Sequence, residues 1–375
     1  MSNTKSINTF LIISIFIYLF ISIISIYSAS MYLSPTLGNL PLKQLIWYIV
    51  GLIIIYLFTK LNNKYLYKYA FFLYIIGIIM LIGLLLEAPS INGSKSWFII
   101  SGIGSFQPSE FMKIALVLIN AKIISYFLDK KKNINVYDEI KVLLLICLAF
   151  IIPSILTFMQ PDTGIVIIYF ISTLFMIYVS GIRQRWFLGS ITFILLLIGG
   201  FIYIYSFNEQ LFIDLFGSNF FYRMDRLLNW KTGTGMQLNN SLAAIGSSGI
   251  IGHGFNNTPV YFPEAGTDFI FTVFSSNFGL LGSLLMVVFL LLFDLTIINI
   301  GKSCRKNRDK YVIAGIMGII IYQQIQNIGM TIGIVPITGI TLPFISYGGS
   351  SLLSYLIMIG IIINIDIANK KKKSY

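Results

Sequence analysis

The sequence predicts an all-α, polytopic membrane protein of about ten transmembrane helices, and three observations carry that prediction. Hydrophobic residues fill 57% of the 375 positions and charged residues 11%, with a mean hydropathy of +0.85, whereas soluble domains carry about 25% charge. Apolar stretches fall at about 9–31, 45–59, 69–86, 109–128, 142–158, 163–180, 186–205, 268–299, 311–332 and 347–367. Most approach or exceed the roughly 20 residues that cross a bilayer as a helix, and none shows the alternation of a barrel strand. Finally, nineteen of the 26 Lys and Arg lie in alternate loops, as the positive-inside rule requires of an even number of crossings with both termini cytoplasmic.

The first stretch is too long for the core of a cleaved signal peptide and reads as an uncleaved first span. Between the third and fourth spans, residues 87–108 form an external loop rich in Gly, Ser and Pro. The fourth span opens with QPSEFMK, which puts Glu110 and Lys113 three residues apart on one helix face. An ion pair on the cavity side of this helix is the economical reading, because a charge within a span seeks a partner or a wet interior. The fifth and sixth spans are joined only by MQPDTG and must form a hairpin. Its Asp162 reads as a helix cap.

The seventh and eighth spans are separated by a large external segment, about residues 206–267, too long for mere linkage. No appended soluble domain is visible, so residues 1–375 are expected to form a single transmembrane domain. Directly before the eighth span, PEAGTDFIF holds two acids, Glu264 and Asp268, which share a helix face if the helix begins early. From Phe269 to Ile300 only Asp294 interrupts the apolar run. A straight helix of that length measures about 48 Å against about 30 Å of hydrocarbon, so it must project, tilt or bend. Asp294 reads as interfacial and structural. Before the last span, GIVPITGITLPFISYGGSS is poor helix and poor strand, and needs protein or water to satisfy its backbone.

The composition also excludes functions. A net charge of +12 concentrated in short loops is what topology demands, and argues against nucleic-acid binding. Cys147 and Cys304 show no paired framework, and with the single His253 they make no recognisable metal site.

Taken together, NGSKSWFIISGIGSFQPSEFMKIAL, MQPDTG, GMQLNNSLAAIGSSGIIGHG, PEAGTDFIFTVF and NIGMTIGIVPITGITLPFISYGGSS resemble, in order, the motif blocks of the SEDS family (shape, elongation, division and sporulation). The resemblance implies a peptidoglycan glycosyltransferase of the bacterial cytoplasmic membrane that polymerises lipid II at the outer face, beside a class B penicillin-binding transpeptidase. The family's essential acid carries over to Asp268. The reaction implied joins a sugar 4-hydroxyl to the anomeric carbon of a chain on undecaprenyl pyrophosphate with inversion, so Asp268 is expected to act as general base. Glu110, Lys113 and Glu264 are expected to serve the substrate. Stabilisation of the departing pyrophosphate is expected from Lys95, Arg223 and Arg226 or from a divalent cation such as magnesium or manganese. Three departures stand out: SSNFG at 275–279 where the family continues toward EELG, GHG through His253 where it has GKG, and Lys95 where it has Arg before Trp. The alternatives are a lipid II flippase and a non-catalytic scaffold for the transpeptidase.

Overall fold

A computed structural model describes residues 8–31, 39–61, 63–89, 95–100, 104–129, 134–217, 221, 236–261 and 263–371. Its helices are α1 (Thr9–Ser30), α2 (Leu40–Lys60), α3 (Asn63–Lys68), α4 (Ala70–Glu87), α5 (Pro108–Leu128), α6 (Val136–Met159), α7 (Thr163–Val179), α8 (Gln184–Phe207), α9 (Glu209–Phe216), α10 (Met236–Ser247), α11 (Ile270–Ser303), α12 (Asn307–Thr331) and α13 (Gly349–Lys371). Every predicted stretch coincides with one long helix. Eight of these are long and apolar enough to cross a membrane, and α7 is a shorter apolar helix. A short antiparallel hairpin, β1 (Phe98–Ile100) with β2 (Gly104–Phe106), precedes α5.

The two least hydropathic spans, α12 and α5, are largely buried, as expected where lipid is the solvent. α12 has a mean hydropathy of only 1.3 yet 72% of its span is buried, while α6, at 2.8, is 33% buried. With α5 and α13, 67% and 83% buried, α12 forms the centre. It carries Gln323, Gln324, Gln326 and Asn327, all buried. Lipid-facing positions cannot hold such groups, so the polar helices take the middle. Asp294, expected at the interface, also faces inward: it is 5% exposed, and Gln324 Nε2 donates to its Oδ1 at 3.3 Å.

Pro153 lies inside α6 and cannot donate to the carbonyl of Ala149 four residues back. The hydroxyl of Tyr74 on α4 donates to that carbonyl at 3.0 Å and replaces the missing bond.

The surplus length of α11 is resolved by a break. Gly279 has φ 64° and ψ −162°, and residues 248–254 dock against the opening. The N–H groups of Leu280 and Leu281 donate to Gly249 O and Ile250 O, both at 3.0 Å. His253 N and Gly254 N donate in return to Ser276 O and Asn277 O, at 2.9 and 3.2 Å. Gly252 (φ +83°) and Gly279 interlock, since a Cβ on either would run into the other's backbone surroundings. Gly252→Ala is therefore expected to cost about 3 kcal/mol or more, combining strained backbone with overlap that side-chain motion cannot relieve. A melting curve of the purified protein in detergent checks this, with Gly246→Ala, where a Cβ meets open space, as the unaffected control.

Candidate functional site

Asp268 stands two residues ahead of α11, in a run of turns. The expectation that Glu264 and Asp268 share a helix face is thus corrected: Glu264 has φ 56°, and its carbonyl accepts from Thr267 N and Phe269 N, both at 3.2 Å. Those bonds close a tight turn that a straight helix start would not make. Thr267 Oγ1 also donates to Glu264 Oε2 at 2.7 Å, so one acid shapes the loop that presents the other.

The irregular segment before α13 forms the wall of this loop, and side chains satisfy its backbone. Asn327 Nδ2 donates to Asp268 O and to Ile340 O, both at 2.8 Å. Gln326 Nε2 donates to Pro336 O at 2.8 Å. Ser346 Oγ accepts from Leu342 N and donates to Thr267 O, at 2.8 and 2.6 Å, and Tyr347 N donates to Gly266 O at 2.8 Å. From α1 and α2, Ser22 Oγ donates to Ile345 O at 2.7 Å and Tyr48 donates to Phe344 O. Phe344 holds a left-handed φ of 68°, fixed by stacking of its buried ring on Tyr18 with centroids 5.0 Å apart. At Gly339 (φ +70°) a Cβ would lie 3.4 Å from Asp268 Oδ2, so the carboxylate rests against bare backbone.

The motif blocks converge here. Gln107 Nε2 donates to Asp162 Oδ2 at 2.9 Å, and Gln107 N donates to Ser350 Oγ at 3.0 Å. Beneath them Lys113 Nζ meets Glu110 Oε2 at 2.7 Å, both side chains almost wholly buried. Ser354 Oγ donates to the same carboxylate at 2.9 Å, and the Lys113 ammonium lies 5.0 Å over the Tyr355 ring. Glu110 and Lys113 are thus enclosed, below the surface acids.

Asp162 caps α7 as expected, accepting from Ile165 N at 3.2 Å. Sequence reasoning missed its second position, within electrostatic reach of Asp268. Burial pushes Asp162 up to about 6, with Glu110 adding to the effect and Lys113 opposing it. Asp268 is raised further, to about 7, first by burial and then by the charges of Glu264 and Asp162. Asp268 is crowded by protein yet not fully buried.

Lys95 is exposed, its Nζ 3.5 Å from Leu85 O at the end of α4. Arg223 and Arg226 lie outside the described residues. Among the described residues no group of three or more His, Cys, Asp or Glu is arranged to hold a metal. Two of the departures from the motif pattern meet each other: His253 Nδ1 lies 3.1 Å from Ser276 O and 3.2 Å from its Oγ.

Residues 8–371 match the FtsW/RodA/SpoVE family, described as cell cycle proteins. The chain is 30% identical over 374 residues to a protein of Haemophilus influenzae named "Probable peptidoglycan glycosyltransferase FtsW", covering 94% of this chain and 89% of that one. It is 32% identical over 383 residues to stage V sporulation protein E of Bacillus subtilis, covering 95% and 96%. Among solved structures, a chain from a peptidoglycan synthase complex superposes with a TM-score of 0.79 at 22% identity, over 97% of this chain and 98% of that one. Rod shape determining protein RodA of Thermus thermophilus superposes with 0.70, also at 22% identity and over 97% and 98%. The ordered motifs, the helix plan and these likenesses agree that the chain belongs to the FtsW/RodA/SpoVE family of multi-pass membrane proteins.

Proposed function

We propose that this protein is an inverting peptidoglycan glycosyltransferase that polymerises lipid II at the outer face of the bacterial cytoplasmic membrane, with Asp268 as general base. The observation that carries the reading is a partly buried carboxylate at the mouth of α11 whose surroundings raise it to about 7, close to the working pH, where a base combines ionisation with proton affinity. Asp268 takes the proton from the sugar 4-hydroxyl as that oxygen attacks the anomeric carbon. The bond to pyrophosphate breaks on the opposite face, and the charge leaves with the lipid carrier. Lys95, Arg223 and Arg226 are the cations proposed to meet that charge, and arginine suits bidentate phosphate contact best. Glu110 and Lys113 brace Asp162 and Gln107 from below.

The basic loops supply the orientation: their concentration at the end opposite Asp268 supports cytoplasmic termini and an external site. The lipid tail stays in the bilayer while the sugar enters from the side, so access between helices is part of the proposal. A class B penicillin-binding transpeptidase is the proposed partner, in keeping with the synthase complex whose chain shares this fold, and residues 1–375 act as one domain.

Purified protein incubated with lipid II, alone and with such a transpeptidase, is expected to yield glycan strands resolved by length on gels. Movement of lipid II across sealed vesicles without polymer would select a flippase instead. Binding of the transpeptidase without polymer under either condition would select a scaffold.

A further inference from the structure

We propose that Asn327 is a positioning residue that holds the acid at 268 in its working geometry. The inference rests on the reading of Asp268 as the base, and begins from an amide in an unusual place. Asn327 is fully buried on α12, in the central helix of the bundle. Its Nδ2 spends both protons on main-chain carbonyls, one on Asp268 and one on Ile340, each at 2.8 Å. These carbonyls belong to the two walls of the site, the acid loop and the irregular segment before α13.

Only one amide orientation fits, since Oδ1 turned toward two carbonyl oxygens would repel both. The chemistry at this position is equally narrow. Asp would set an anion against two carbonyls, and Leu, of similar size, would leave both unpaired in a buried place. A neutral side chain with two donors on one nitrogen is what the position calls for.

The clamp acts on the reacting oxygens through the backbone. Ile340 follows Gly339, the residue whose backbone backs Asp268 Oδ2. One amide therefore fixes both where the carboxylate starts and what it rests against. The charged groups that bear on Asp268 are Glu264, from its own loop, and Asp162, from the α6–α7 turn. Glu110 and Lys113 act on Asp162 in turn. None of these touches Asn327 through a hydrogen bond among the described residues, so its loss moves the acid without removing a charge.

The experiment compares Asn327→Ala and Asn327→Ser with the full-length protein in lipid II polymerisation, measuring kcat, KM, the pH profile and the melting temperature. The expected result for Asn327→Ala is a fall in kcat of about 10- to 100-fold, the scale of an ångström's misplacement of a catalytic group, with KM for lipid II nearly unchanged. The acid limb, near pH 7 in the parent, is expected to move to lower pH, because a released loop lets water reach the carboxylate. Asn327→Ser, which keeps one donor, is expected to fall between the two and to report on the clamp if the alanine variant fails to fold. A lower melting temperature with an unshifted acid limb and a proportional loss of active protein would overturn the proposal, as would wild-type kcat in both variants. Asp268→Asn run in parallel separates the two readings: if it retains polymerase activity the base assignment fails. If it is inactive while both Asn327 variants behave as the parent, only this inference fails.

Discussion

Asp268→Asn is expected to reduce glycan-strand formation by about 10²- to 10⁴-fold, the usual contribution of a positioned base, at normal expression and with lipid II still bound. The amide keeps the size of the carboxylate and the hydrogen bond from Asn327, which ends on the main-chain carbonyl, so the loop should survive while the proton acceptor is lost. In the parent protein, polymerisation should rise with pH through about 7, where Asp268 ionises. Stability should run the other way. The folded-state value lies above the ordinary 3.8, so the folded protein holds this proton more tightly than the unfolded chain does. That contribution is complete below the ordinary value and is lost as pH rises through about 7. Asp268→Asn should therefore melt above the parent at and beyond neutral pH, and the difference should close in acid. Near-normal polymerisation by Asp268→Asn and Asp268→Ala would remove this residue from the chemistry.

Much of the fold was legible because a bilayer imposes it. Apolar length and loop charge are one-dimensional quantities, and the ten predicted stretches meet ten long helices to within a few residues at most ends. The break in α11 was legible only as a length surplus, because locating it at Gly279 requires the docking of residues 248–254, a contact between distant segments. The same limit applied to the site. Glu110 and Lys113 announce themselves by spacing on one helix, and the structure pairs them at 2.7 Å. Asp162 looked like a cap and is one, but its second role depends on the acid loop lying nearby. Asn327 gave no signal of its own beside Gln323, Gln324 and Gln326, since one amide among four becomes meaningful only when both carbonyls it serves are in place. Asp294 misled because a polar residue toward a helix end looks interfacial in sequence, whereas side-chain direction, set by packing against Gln324, turns it inward.

Lys113→Ala is expected to produce the second large effect, a loss of about 3–5 kcal/mol of stability, because it leaves Glu110 as a buried carboxylate without its cation. Among the described residues Ser354 alone would remain as a donor to that carboxylate, and a neutral hydroxyl cannot offset a charge held away from water. The damage should reach the surface, since Gln107 directly precedes the first turn of α5, which holds Glu110, and Gln107 holds Asp162. Polymerisation should accordingly fall further than melting alone accounts for. Lys113→Met combined with Glu110→Gln separates the causes. With no charge left to bury, the double variant should recover most of the melting temperature, because a buried ion pair adds little over a neutral pair of the same shape. Asp162 would lose the influence of both partners at once, and Glu110 and Lys113 act on it in opposite directions. Recovered folding with recovered polymerisation would mean that the pair braces the site through shape. Recovered folding without activity would mean that its charges tune the acids above it.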